Sequence, residues 1–220
     1  VEATGVLIAK ALDDASFPNK ANLLDSLRDV SFDPGRKYSV PWVSGMVGIG
    51  YNPKKTGREL TSVEDLFDPK FKGQVTMLTE MRDTLGLIML GLGADPTKAT
   101  LADATAACAK VKQARESGQV RAFTGNDYAA DLAAGNISVA IAWSGDIQGL
   151  AADNPDLVWF APKEGAMLYS DNMLIPKTSD RLDAAHAWLN WCYDPAHSAQ
   201  IVAGAPYLSG VKGAGEELAK

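Results

Sequence analysis

Residues Tyr38–Tyr51, "YSVPWVSGMVGIGY", decide how this chain is read. Fourteen residues pass with β-branched and aromatic side chains, scattered glycines and no helical spacing, so the run reads as one long extended segment. It follows a turn at Asp33-Pro34-Gly35 in "FDPGRKYSVPW" and stops at Pro53. A second extended run lies far downstream, "MLYSDNMLIP" at Met167–Pro176. Between the two, strand-like and helix-like patterns alternate. A block that leaves one domain and returns to it needs two crossings, and these runs are the natural pair. The expectation is a first domain of residues 1–49, a second of 50–167, and a return through 168–220. Clefts between such lobes are common ligand sites.

Inside the block, "GQVTML", "QVRAF", "ISVAIAW" and "LVWFAP" read as strands. Ser62-Val63-Glu64-Asp65 is patterned as a capping box opening a short helix. "TEMRDTLGLIMLGLG" is helical, with Thr79 expected as its N-cap and Gly93 as its stop. "PTKATLADATAACAKVKQARES" and "NDYAADLAAGN" give two more helices. "SDRLDAAHAWLNWCYDP" and "PAHSAQIVAGA" close the chain as helices, and residues 6–29 alternate between helical and loop-like patterns around Pro18. Alternating strands and helices predict an α/β protein with a largely parallel sheet.

Composition narrows the chemistry. The 220 residues carry a formal net charge of −6, which argues against nucleic acid and anionic membranes as main partners. No apolar run approaches the roughly 20 residues that cross a bilayer, and the first residues lack the order of a signal peptide. The sequence has no phosphate loop, dinucleotide fingerprint or nucleophile elbow. Two cysteines, Cys108 and Cys192, stand inside helical patterns with no zinc-ligand spacing; they can form a single disulfide, but buried free thiols are the favoured reading. His186 and His197 sit in the C-terminal helices, away from any Ser or Cys motif. No metal and no cofactor are expected.

What does recur is an acid beside an aromatic ring at the ends of elements. Glu80 and Asp83 follow "QVTML". Trp143 ends "ISVAIAW" and is followed by Ser144, Gly145 and Asp146. Tyr169 and Asp171 share the second extended run, and Asn126-Asp127 opens a helix. Strand C-termini of open α/β sheets line the ligand crevice. Carboxylates pair with ammonium groups and aromatic faces attract cations. Each feature also has a purely structural reading. Glu80 and Asp83 complement first-turn N–H groups, Trp143 is core, Asn126-Asp127 is an N-cap pair, and Asp171-Asn172 is a turn or a buried hydrogen-bonded pair. Arg82 then only neutralises its acidic neighbours.

Four stretches in order, "FDPGRKYSVPWVSGMVGIGYN", "FKGQVTMLTEMRDTLGLIMLGLG", "GNISVAIAWSGD" and "KEGAMLYSDNMLIPKTS…AAHAWLNWCYDP", resemble the spermidine/putrescine-binding proteins, the substrate-binding components of polyamine ABC transporters. The resemblance runs from about Phe17 onward. It implies a two-lobed periplasmic-binding-protein-like fold of type II, with the first lobe incomplete in these 220 residues and further segments before Val1 and after Lys220. It implies no enzyme activity and work in the periplasm, or lipid-anchored outside the cytoplasmic membrane, with permease subunits as partners. It also implies ligand-binding roles for Glu80, Asp83, Trp143, Tyr169 and Asp171. The acids hold protonated amines, the aromatics box the methylene chain, and Asp171 is the central anchor. Tyr169 stands where many members carry tryptophan, which leaves putrescine, spermidine or another amine open. The alternatives are a binding protein for another small organic solute and an enzyme on the same scaffold.

Overall fold

A computed structural model describes residues 2, 3 and 6–220. The strands and α-helices, in chain order, are β1 (Glu2–Ala3), β2 (Val6–Leu7), β3 (Ser39–Tyr51), α1 (Pro53–Thr56), β4 (Val75–Leu78), α2 (Met81–Gly91), α3 (Leu101–Glu116), β5 (Val120–Thr124), α4 (Asp127–Ala133), β6 (Val139–Trp143), α5 (Ser144–Ala151), β7 (Val158–Phe160), β8 (Met167–Leu174), α6 (Leu182–Cys192), α7 (Pro195–Gly204), β9 (Leu208–Ser209) and α8 (Ala214–Leu218). The chain divides into two compact units, residues 1–44 with 170–220, and residues 45–169. Both divisions fall inside strands, β3 and β8.

The 45–169 unit is an α/β layer with strand order β5-β4-β6-β3-β7. β4 is parallel to β5 and to β6, but β3 is antiparallel to β6 and β7. The sheet is therefore mixed, not largely parallel as its strand–helix alternation predicts. Alternation fixes direction only where a crossover helix joins neighbouring parallel strands. β3 reaches β4 through residues 52–74, which hold only the four-residue α1 and short 3-10 turns. Val47, Ile49, Met77, Leu87, Ile88, Val139 and Ile141 are buried in one core. Gly48 of β3 has a packing reason. A Cβ on Gly48 would lie 2.5 Å from the Phe160 carbonyl oxygen and 2.7 Å from the Trp159 ring.

Local chemistry sets the helix starts. Ser62 and Asp65 form a capping box on a 3-10 turn at Val63–Phe67, and Thr100 and Asp103 form another at the start of α3. Thr79 is not the cap of α2. Its backbone N–H still bonds the carbonyl of Thr124, the last residue of β5, so the first residue released from the sheet is Glu80, which caps the helix. α5 is not among the expected elements: Ser144, Gly145 and Asp146 figure in the sequence only as the residues after Trp143, with no helix assigned to them.

The other unit is built around Phe17, Leu23, Val40, Ile175, Leu189, Tyr193 and Val211. Asp33 organises the turn before β3. Its carboxylate accepts the backbone N–H of Lys37, Tyr38 and Ser39 and the Ser39 hydroxyl. Tyr193 packs edge-on against Phe17 and donates its hydroxyl to the Pro41 carbonyl at 2.7 Å. Burial pushes that phenol well above its ordinary range. His186 is buried in a structural role: its Nε2 accepts the Asp13 N–H, which leaves the proton on Nδ1 facing the Leu182 carbonyl. His197 stacks on Trp191 with ring centroids 4.3 Å apart. Cys192 is buried, and burial raises its thiol to about 11. Cys108 corrects the expectation of two buried thiols. It lies on the solvent side of α3, where Ala107 and Ala114 are the residues turned to the core.

Candidate functional site

The parallel strands β5, β4 and β6 end along one edge of their sheet, and each runs on into a helix. β4 leads to Glu80 and Asp83 at the start of α2, β6 to Trp143 and Asp146 at the start of α5, and β5 to Asn126 and Asp127 at the start of α4. Three helix N-termini and four carboxylates thus gather on one edge, in the arrangement that gives α/β sheets their ligand crevices.

The geometry separates these residues. Glu80 is exposed. Its carboxylate accepts the Arg82 N–H at 2.9 Å, and it lies 3.6 Å from the Arg82 guanidinium. Asp83 is half-buried, and its Oδ2 accepts the indole Nε1–H of Trp143 at 2.8 Å. An indole N–H is a donor only, so it orients Asp83 with that oxygen as the acceptor. The backbone N–H of Trp143 donates to the Tyr128 hydroxyl at 2.9 Å, and that hydroxyl donates to Asp146 Oδ2 at 2.7 Å. Asn126 Nδ2 donates to the same oxygen at 2.9 Å. Asn126 therefore does not cap α4 with its side chain, as an N-cap pair would; its amide is spent on Asp146 instead. The Tyr128 and Trp143 rings are tilted by 54° at 6.1 Å.

Tyr169 and Asp171 lie on β8, two residues apart and so on the same face of that strand. Tyr169 is half-buried and packs against the core of the 45–169 unit, whereas Asp171 belongs to the other unit and is exposed. The Asp171-Asn172 pair is neither a turn nor buried as a pair. It is extended strand, and Asn172 makes the interior contacts. Its Oδ1 accepts the buried Arg36 guanidinium at 2.8 Å and its Nδ2 donates to the Ser170 carbonyl at 2.8 Å. Alternation then turns the neighbouring carboxylate outward.

Tyr128 was missed at the level of sequence. With Leu132 four residues on, it reads as helical core, and nothing in spacing announces what its hydroxyl bonds. A concavity of about 410 Å³ in the same unit is lined by Glu64, Phe67, Lys72 and Lys110, with no strand-edge acid among its residues. Its lysines oppose a cation, so it is not the counterpart of the acidic edge. Among the described residues, no three His, Cys, Asp or Glu side chains converge as a metal site would require.

The half-buried Asp83 carboxylate accepts the Trp143 indole N–H, and a carboxylate and an aromatic ring are both groups that attract an organic cation. The charge meets the acid, and methylenes or cationic charge meet the ring. The sequence profile described as bacterial extracellular solute-binding protein matches residues 3–219. The chain belongs to that family. Among relatives of this solute-binding protein, the spermidine/putrescine-binding periplasmic protein 1 of Haemophilus influenzae is 29% identical over 188 residues, covering 83% of this chain and 50% of that protein. The putrescine-binding periplasmic protein SpuD of Pseudomonas aeruginosa is 31% identical over 214 residues, covering 88% and 58%. A solved Listeria monocytogenes structure assigned to spermidine/putrescine ABC transport is 31% identical with a TM-score of 0.86, covering 95% of this chain and 64% of that one. The solute-binding protein thus has the two-lobed α/β fold of type II and belongs to a family of binding proteins, not of enzymes. The chain spans about half the length of the curated relatives it matches.

Proposed function

We propose that this solute-binding protein captures a polyamine of the putrescine or spermidine class outside the cytoplasmic membrane and delivers it to the permease of an ABC transporter. In this reading Asp83 and Glu80 face ammonium groups, Trp143 and Tyr169 cover the methylene chain, and Asp171 supplies a further carboxylate. The observation that carries the proposal is the 2.8 Å hydrogen bond from the Trp143 indole to Asp83. It holds an anionic acceptor and an aromatic face together before any ligand arrives, and such preorganisation raises affinity by lowering the ordering cost of binding. The relatives named for spermidine and putrescine support the same ligand class.

Calorimetric titration with putrescine, spermidine, a neutral diol of matched length and a dicarboxylate tests this. Binding of the amines alone is the expected result. Preference for the diol or the dicarboxylate would overturn the amine assignment and leave another organic solute as the ligand.

A further inference from the structure

Tyr128 is wholly buried on α4, where a phenylalanine would fill the same volume. Its hydroxyl nevertheless has two definite partners in the strand-edge site. It accepts the backbone N–H of Trp143, the last residue of β6, and donates to the carboxylate of Asp146, in the first turn of α5. Trp143 is also the residue immediately before α5, so one hydroxyl ties the end of a strand to the first turn of the helix that follows it. The same tryptophan holds Asp83 of α2 through its indole. Asp83 and Asp146, on different helices, are thereby referred to one residue, Asp83 through the Trp143 side chain and Asp146 through its backbone by way of Tyr128. Asn126 donates to the same oxygen of Asp146 and closes the arrangement from the start of α4.

We propose that Tyr128 is a positioning residue for ligand capture: its hydroxyl sets the backbone of Trp143 and the carboxylate of Asp146 relative to each other, and so fixes the indole and the acid it holds without itself touching the ligand. The proposal rests on the amine-binding reading above and adds to it the group that orients that site. The physical reason is cooperative. A hydroxyl that accepts from one group and donates to another polarises both bonds. A strand-end N–H deprived of its acceptor lets the tryptophan relax toward other partners.

The test is Tyr128→Phe, with Ser62→Ala as the comparison. Ser62 lies in the same unit, donates to Glu164 at 2.5 Å and accepts the Glu64 N–H, and neither it nor its partners belongs to the proposed ligand set. Both variants lose a hydroxyl bond, and both are expected to melt at lower temperature than the parent. Putrescine affinity is then measured by calorimetry well below either melting temperature, and exchange of the Trp143 amide is followed by NMR. Tyr128→Phe is expected to weaken putrescine binding about tenfold, the factor set by one hydrogen bond's worth of orientation, and to speed exchange of the Trp143 amide. Ser62→Ala should leave both unchanged. If the parent binds putrescine and Tyr128→Phe binds it equally well, Tyr128 is structural only and the proposal is overturned. If the parent binds no amine at all, the ligand assignment fails first and this proposal falls with it.

Discussion

Replacing Asp83 by asparagine removes its charge while keeping its shape. The amide is isosteric, and its Oδ1 can still accept the Trp143 indole N–H that now bonds the carboxylate at 2.8 Å. The fold should therefore be indifferent, with the melting temperature of the unliganded protein changed by no more than a surface substitution changes it. Ligand binding should not be indifferent. Truncating one side of a hydrogen-bonded charge pair costs roughly 2–5 kcal/mol where the pair is desolvated. Asp83 is half-buried rather than fully enclosed, so the lower part of that range applies, about 2–3 kcal/mol, or roughly 30- to 150-fold in affinity for putrescine. Trp143→Phe removes the indole donor and weakens the aromatic face, for a loss of about 0.5–2 kcal/mol. Because the indole orients the acid, the two losses should not add. A double-mutant cycle is expected to give a coupling of about 0.5–3 kcal/mol, the range for residues in contact. Titration of the parent, both single variants and the double variant, each beside a thermal melt, completes the measurement. Asp83→Asn binding within twofold of the parent would refute the reasoning, as would strictly additive losses.

Asp171→Asn should weaken amine binding by about tenfold or more while leaving the melt unchanged, because the carboxylate is exposed and the interior bonds belong to Asn172; Asp180→Asn, another exposed acid, should change neither, and equal titrations of all three proteins would exclude Asp171 from the site. Stability should decline as pH falls below about 4. Burial raises the carboxyls of Asp65 and Glu164, but N–H and hydroxyl donors, with Arg58 at Asp65, outweigh it and hold both below their ordinary values. Their contribution is therefore complete above the unfolded values and lost as each protonates through its lower folded value; a melting temperature flat from pH 5 to pH 2.5 would contradict this. Gly48→Ala should destabilise by about 1–3 kcal/mol through overpacking against Phe160 and Trp159, and chemical denaturation showing no loss would contradict the packing of β3. At pH 8 a thiol reagent should label Cys108 quickly and Cys192 only on unfolding, since Cys192 is buried with its thiol raised to about 11; equal rates would place Cys192 at the surface.

Much of the architecture was legible because its signals are local. The run from Tyr38 to Tyr51 became β3 almost residue for residue, and the capping pattern at Ser62–Asp65 formed as patterned. The family resemblance carried by four ordered stretches agrees with the profile matched over residues 3–219. Direction was not legible. Nothing within β3 records that it lies antiparallel to β6, because strand direction is a property of the neighbour and not of the run. The cap of α2 moved by one residue, from Thr79 to Glu80, because the sheet retained Thr79 longer than capping preference alone implies.

At the site, residue type pointed to the strand ends but could not rank their acids. Glu80 and Asp83 look alike in sequence, yet one is an exposed cap and the other is held by an indole. Asp171 and Asn172, read together as a turn or a buried pair, have separate environments, since strand alternation, invisible until the strand's phase is known, sends the amide inward and the carboxylate out. The role of Tyr128 depends on a hydroxyl at the end of a ring that patterning counts only as hydrophobic volume.

The central claim is that Asp83 and Trp143 together receive an organic ammonium group. Crystallisation of the protein with putrescine tests it most directly. The account predicts an ammonium nitrogen at hydrogen-bond distance from the Asp83 carboxylate, about 2.7–2.9 Å, with the methylenes against the Trp143 ring. Putrescine bound elsewhere, with the Asp83–Trp143 pair untouched, would contradict it.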